Sequence, residues 1–205
     1  RYTDDDLLVV PAREYFTGPW DERRHVLAID PDDPVPDFVG FDDTMSELER
    51  MDAAVLAPHP EFLTLSMSRE DVRTYRDVID AVEVYNPKHW SWHNRRAREI
   101  ADDVDLPTYV SSYAHLTPTI GEAWVEFDEE IETADDLTDA IKRGVQPRAF
   151  RQQGLVHELK CKVEFFHLGW ENTWKKFERV VLQGTEPTNP THPDYDGKFA
   201  DKSSY

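Results

Sequence analysis

The sequence has a single cysteine, Cys161, among 205 residues, which excludes an internal disulfide framework and every cysteine-rich zinc module. It has no apolar stretch near the roughly 20 residues that cross a bilayer, and its first residues, RYTDDD, offer neither the basic region nor the apolar run of a signal peptide. Basic residues are scarce: 23 Lys plus Arg stand against 42 Asp plus Glu, a formal charge of −19. Such a balance argues against bulk attraction to nucleic acid or to an anionic membrane. These absences make a reducing cytoplasm the expected compartment, with no membrane partner.

What is present is enough to build a core. The chain is 39% hydrophobic and 12% aromatic, too apolar for an acidic disordered segment. Its acids are scattered among apolar positions, as expected of a surface that stays hydrated in concentrated salt. Residues 1–140 carry 34 acids and 12 bases, whereas residues 142–179 carry 9 bases and 4 acids. That reversal, beside the turn residues of Gly144-Val145-Gln146-Pro147, divides the chain into three expected parts: a main domain over 1–146, a basic amphipathic helical extension over 147–183, and an extended polar tail over 184–205.

Short apolar runs alternate with helical patterns up to the boundary, which predicts an α/β layout with largely parallel strands. Strands are expected at 7–14, 25–30, 54–60, 81–86 and 107–115, with a further extended segment at 122–127. Thr44 reads as the cap of a short helix, Ser68 with Asp71 opens another to about Ile79, a third runs over 93–104, and Thr133 caps a fourth that Gly144 closes. From Leu155 onward, apolar residues including Phe165, Phe166, Trp170 and Trp174 predict one or two amphipathic helices, their aromatic stripe docked on the main domain.

Four residues with metal-ligand chemistry fall at or beside predicted strand ends: Glu14, His25, His59 and His115. Functional groups gather there in parallel sheets and barrels because the loops converge on one face. His25 fits less simply, since it stands at the start of its apolar run. Imidazoles together with a carboxylate suit Zn²⁺, Mn²⁺ or Fe²⁺ with positions left for water or substrate.

Five segments in order resemble the PHP family, named for polymerase and histidinol phosphatase: VVPAREY, RHVLAID, VLAPHPEF, AVEVYNP and VSSYAHLTPTIGEAW. The resemblance covers about residues 7–127. It implies a distorted (β/α)7 TIM-like barrel whose strand ends hold two or three divalent metals and hydrolyse phosphate esters of a small metabolite, a nucleotide or an oligonucleotide end. By position, Glu14 would bridge metals, His25, His59 and His115 would each ligate one, and Glu14, His59 and His115 would carry the catalysis. The family's opening H-x-H and T-D-H strands do not occur in this sequence, so the expected barrel is incomplete at its N-terminus. Tyr113 stands where the family has the Asp of S-D-A-H, and a phenol is a poor ligand at neutral pH.

Other candidates have supporting roles. Glu83 and Asn86 end the EVYN strand near the expected site. Arg13 and Arg95 are candidate phosphate contacts. His89 and His93, four apart, read as local packing with Trp90 and Trp92. Two further readings stand beside the phosphoesterase: a non-catalytic PHP-like module with a degenerate site, and a related metal-dependent amidohydrolase barrel.

Overall fold

The computed structural model describes residues 7–18, 23–33, 35–37, 39–63, 65–177 and 182. The tail expected over 184–205 lies outside the described residues. Five strands form one mixed sheet in chain order: β1 (Ala12–Thr17), β2 (Arg24–Ile29), β3 (Ala54–Ala57), β4 (Ala81–Tyr85) and β5 (Thr108–Val110). β2 is antiparallel to both β1 and β3, whereas β3, β4 and β5 are mutually parallel. A separate two-stranded antiparallel sheet pairs β6 (Ala123–Glu126) with β7 (Arg148–Arg151).

This architecture corrects the expected (β/α)7 TIM-like barrel. Among the described residues no ladder closes β1 onto β5, β6 or β7, so the main sheet is open. A parallel β1–β2 pair would need a crossover of a dozen residues or more, and the connection between Thr17 and Arg24 is too short for one. β2 therefore runs back along β1 and is the one reversed strand of the sheet.

Alternation along the strands separates two faces. Tyr15, Val26, Ala28, Val55 and Val82 enter the core together with Met45 and Leu48 from α1 (Phe41–Arg50) and Ile100, Ala101 and Val104 from α3 (Ser91–Val104). Each fully buried aliphatic side chain of this kind contributes about 2 kcal/mol. Glu14, Phe16, His25 and Leu27 occupy the opposite face, with Glu14 facing Leu27 and Phe16 facing His25 in register.

The helices show where local chemistry was readable. Ser68 caps α2 (Arg69–Thr74) and Thr133 caps α4 (Ala134–Lys142), each in a capping box with Asp71 or Asp136 as the reciprocal partner. Each such cap is worth about 1 kcal/mol. Gly144, at φ +71°, takes the left-handed position just past α4 that a side chain would resist. Thr44 is a buried interior residue of α1, whose N-cap is Gly40, because Phe41 and the acids Asp42 and Asp43 already form the first turn. β5 stops at Val110 instead of running to His115: beyond it the Ser112 side chain bridges the backbone of Ala123, and Tyr113 turns at φ +45°.

α5 (Leu155–Phe177) follows the expected docking only in part: Phe165 is half-buried against Phe62, whereas Phe166, Trp170 and Trp174 are exposed. It turns His157, Cys161 and Glu164 inward and leaves Leu155, Val156, Leu159, Val163, Phe166 and Trp170 exposed. The inward grip is electrostatic. Glu164 accepts the backbone N–H groups of His115 and Leu116 at 2.6 and 2.8 Å, and its other oxygen stands 3.1 Å from the Lys88 ammonium, both side chains being buried. No helix among the described residues is long and apolar enough to cross a membrane.

Candidate metal centre

The reversed strand resolves the odd position of His25. β2 runs against β1 and β3, so its beginning lies at the same edge of the sheet as their ends. Glu14 projects from β1, His25 starts β2, and His59 follows β3 by two residues. Their three donor atoms lie within 4.8 Å of one another. Glu14 Oε1 is 3.1 Å from His25 Nδ1 and 3.0 Å from His59 Nε2. Adjacent ligands about a divalent ion with bonds of about 2.0–2.2 Å are separated by roughly 3 Å.

The surrounding hydrogen bonds set the His59 ring. The Ser66 hydroxyl donates to the Phe62 carbonyl at 2.7 Å, so toward His59 Nδ1, 2.8 Å away, it acts as acceptor. Nδ1 therefore carries the proton. Nε2 then presents a lone pair to a carboxylate oxygen, and two acceptors 3.0 Å apart require a proton or a metal ion between them. With protons and no ion between them, burial raises the Glu14 carboxyl, but hydrogen bonding and charge from His25 and His59 outweigh it and hold the group well below the usual carboxylate range. Three buried polar atoms at the cluster have no hydrogen-bond partner among the described residues: both ring nitrogens of His25 and the Tyr109 hydroxyl. The donor set and these orphaned atoms fit a divalent cation.

Glu83 positions the site from below. One carboxylate oxygen accepts the His59 backbone N–H at 2.7 Å and the other accepts the Ser111 hydroxyl. It thereby holds His59 at φ +32°, a conformation that costs a non-glycine residue energy unless its surroundings enforce it. Burial pushes the Glu83 carboxyl up, opposed by His59, Ser111 and Asn86. Asn86 acts one step further out: its Oδ1 accepts the Lys88 N–H at 3.0 Å, and its backbone is clamped by the Asn94 side chain.

The remaining expected residues lie apart from the three-donor cluster. Tyr113 stacks edge-on against His59 at 5.6 Å, and His115, exposed, meets the other side of that phenol at 4.8 Å. Burial, aided by the Glu14 and Glu83 charges, pushes the Tyr113 hydroxyl far above its ordinary value. Arg13 points to the core face, over the Tyr15 ring and 3.0 Å from Asp37. Arg95 is exposed on α3, 3.9 Å from Glu99.

Sequence reasoning missed Tyr109, Ser66 and the Lys88–Glu164 pair. Tyr109 is opposite Glu83 in the β4–β5 register, a relation that needs the strand pairing to be known. Lys88 is fully buried, donating to the carbonyls of Ser112 and Tyr113; nothing in PKHW marks that burial.

A cleft of about 890 Å³ is lined by His89, Arg98, Arg151, His157 and Lys162 among others; it includes none of Glu14, His25 and His59 and approaches them through His89. His89 links the two, stacked on Phe62 at 3.9 Å and 6.1 Å from His59. Burial, with help from His59 and His93, lowers His89 from an ordinary 6.5 to about 3. A folded value below the unfolded one means that stability is complete above about pH 6.5 and is lost as pH falls towards 3, where the unfolded chain takes up the proton first. Between pH 7 and pH 5, wild type should lose about 2 kcal/mol more than His89→Phe in urea denaturation. Equal losses would remove His89 from the acid sensitivity.

A family model described as PHP-associated matches residues 91–145. That match supports PHP family membership. The matched segment contains α3, β5, β6 and α4. The crystal structure of PsfC from Pseudomonas syringae PB-5123 is similar at a TM-score of 0.57 and 18% identity, over 77% of this chain and 66% of that one. At this identity the likeness is one of fold, and the chain spans just under two thirds of PsfC. No curated protein matches.

Proposed function

We propose that this chain carries the divalent-metal centre of a phosphate-ester hydrolase of PHP type, with Glu14, His25 and His59 as ligands. The observation that carries this reading is His59 Nε2 held 3.0 Å from Glu14 Oε1, with Ser66 occupying the other ring nitrogen. A bound Zn²⁺, Mn²⁺ or Fe²⁺ ion supplies a water of lowered pKa and neutralises phosphate oxygens. The protein's own part is orientation. Ser66 fixes the imidazole, Glu83 fixes the backbone that presents it, and the buried floor excludes bulk water. Arg98, Arg151 and Lys162 in the cleft that His89 links to the site have the chemistry to hold the phosphate of a small metabolite, a nucleotide or an oligonucleotide end.

One observation favours the second reading, a PHP-like module with a degenerate site. Tyr113, whose phenol is held far above its ordinary pKa, stands where the PHP resemblance implies an Asp ligand, and His115 lies outside the three-donor cluster. The two readings separate in a hydrolysis assay on p-nitrophenyl phosphate with added Mn²⁺ or Zn²⁺. The hydrolase reading expects metal-dependent turnover by wild type; metal binding without turnover leaves the module. Tyr113→Asp should add about one bound ion per chain, measured by elemental analysis after dialysis. An unchanged count would show that no ligand position was lost at Tyr113.

A further inference from the structure

A second cluster lies under α5, away from Glu14. Glu122, just before β6, and His157 and Cys161, four residues apart on one face of α5, are all buried. The Glu122 carboxylate touches His157 Nδ1, and Cys161 Sγ is 3.8 Å from that same nitrogen. All three donor atoms fall within 4.8 Å of one another.

This convergence discriminates between two chemistries that share these residue types. A Cys-His-acid nucleophile uses opposite imidazole nitrogens, one for the thiol and one for the carboxylate. Here both partners meet Nδ1, so no proton relay runs from sulfur through the ring to Glu122. Three mutually close oxygen, nitrogen and sulfur donors are instead the set that surrounds an ion, which would replace the direct Glu122–His157 contact. Tetrahedral bonds of about 2.3 Å to sulfur and about 2.0 Å to nitrogen set those donors about 3.5 Å apart, close to the separation observed.

We infer that Glu122, His157 and Cys161 form a second metal site, of mixed oxygen, nitrogen and sulfur donors, that takes a Zn²⁺-class ion and pins α5 to the start of β6. The thiolate selects a softer late first-row ion over Mg²⁺ or Ca²⁺, and three protein ligands leave a position for water. The approach of Lys160 Nζ to Glu122, at 3.6 Å, is the cationic contact such an ion displaces. The site needs no residue of the Glu14 cluster.

Cobalt is the probe, because Cys161 is the only cysteine in the chain and any cobalt–thiolate absorption reports this site alone. The full chain, stripped by chelator and titrated with Co²⁺, is expected to develop a near-ultraviolet thiolate charge-transfer band whose saturated amplitude corresponds to one thiolate-bound ion per chain, with the Glu14 centre free to take up a second ion that adds nothing to the band. Cys161→Ser should abolish the band and His157→Gln should weaken affinity at least roughly tenfold. Glu14→Gln should leave the band unchanged. A wild-type protein that binds cobalt without any thiolate band overturns the inference, whatever the variants do, as does a band lost in Glu14→Gln but kept in His157→Gln. Because the band is spectroscopic, the result stands apart from whether the protein hydrolyses phosphate esters.

Discussion

His59→Ala is expected to remove both metal binding at the Glu14 centre and metal-dependent hydrolysis. The side chain makes two contacts that nothing nearby replaces: Nε2 to Glu14 and Nδ1 to Ser66. Losing an outer partner of a metal ligand costs about 10–100-fold in affinity or activity, so Ser66→Ala should fall in that range. Losing the ligand itself should exceed it, with turnover down by more than about 100-fold and the ion count reduced. The Glu83 anchor acts on the backbone and survives the substitution, so the circular dichroism spectrum should match wild type. A His59→Ala protein with unchanged metal content and turnover would dismiss the site.

The largest effect on stability is expected at Glu164. Glu164→Ala leaves the Lys88 ammonium buried without its counter-ion and strips the acceptor from two backbone N–H groups at His115 and Leu116. Breaking a buried pair from one side costs about 3–5 kcal/mol. For a chain of this size that lowers the thermal midpoint by roughly 6–20 °C. Part of the penalty comes from the stranded charge, so Lys88→Met combined with Glu164→Leu should recover that part, while the His115 and Leu116 N–H groups stay without their acceptor. A midpoint shift under about 2 °C for the single variant would mean that α5 is not held by this pair.

The parts of this molecule that were legible in sequence are those set by neighbours a few residues away. The capping boxes at Ser68 and Thr133 need only a hydroxyl, an acid three residues on and a helical run between them. Strand cores such as AVLA and AVEVY announced themselves as apolar runs. Closure could not be read in this way: whether a sheet curls into a barrel depends on strand direction and pairing partners far apart in sequence, and the short link from Thr17 to Arg24 decided the direction of β2. Glu14, His25 and His59 could be singled out as ligand types at strand edges, yet His25 looked misplaced while β2 was taken as parallel. Its reversal is the reason that a residue near a strand's start meets Glu14, inside β1, and His59, just past the end of β3.

α5 was legible only in part, for a different reason. Apolar periodicity identifies a helix and its stripe, and the usual assumption is that the stripe faces inward. Here Lys88, buried without warning, draws Glu164 in, and the His157, Cys161 and Glu164 face follows while Phe166 and Trp170 remain outside. One long-range charge pair outweighs the local pattern.

The central claim, that Glu14, His25 and His59 ligate a divalent ion, is tested most directly by crystals of the full chain soaked in Mn²⁺ and measured for anomalous scattering. The account predicts a peak bonded to Glu14 Oε1, His25 Nδ1 and His59 Nε2, with His59 Nδ1 still on Ser66. Manganese-soaked crystals with no peak there, and with Glu14 Oε1 still in direct contact with His59 Nε2 and His25 Nδ1, would contradict it.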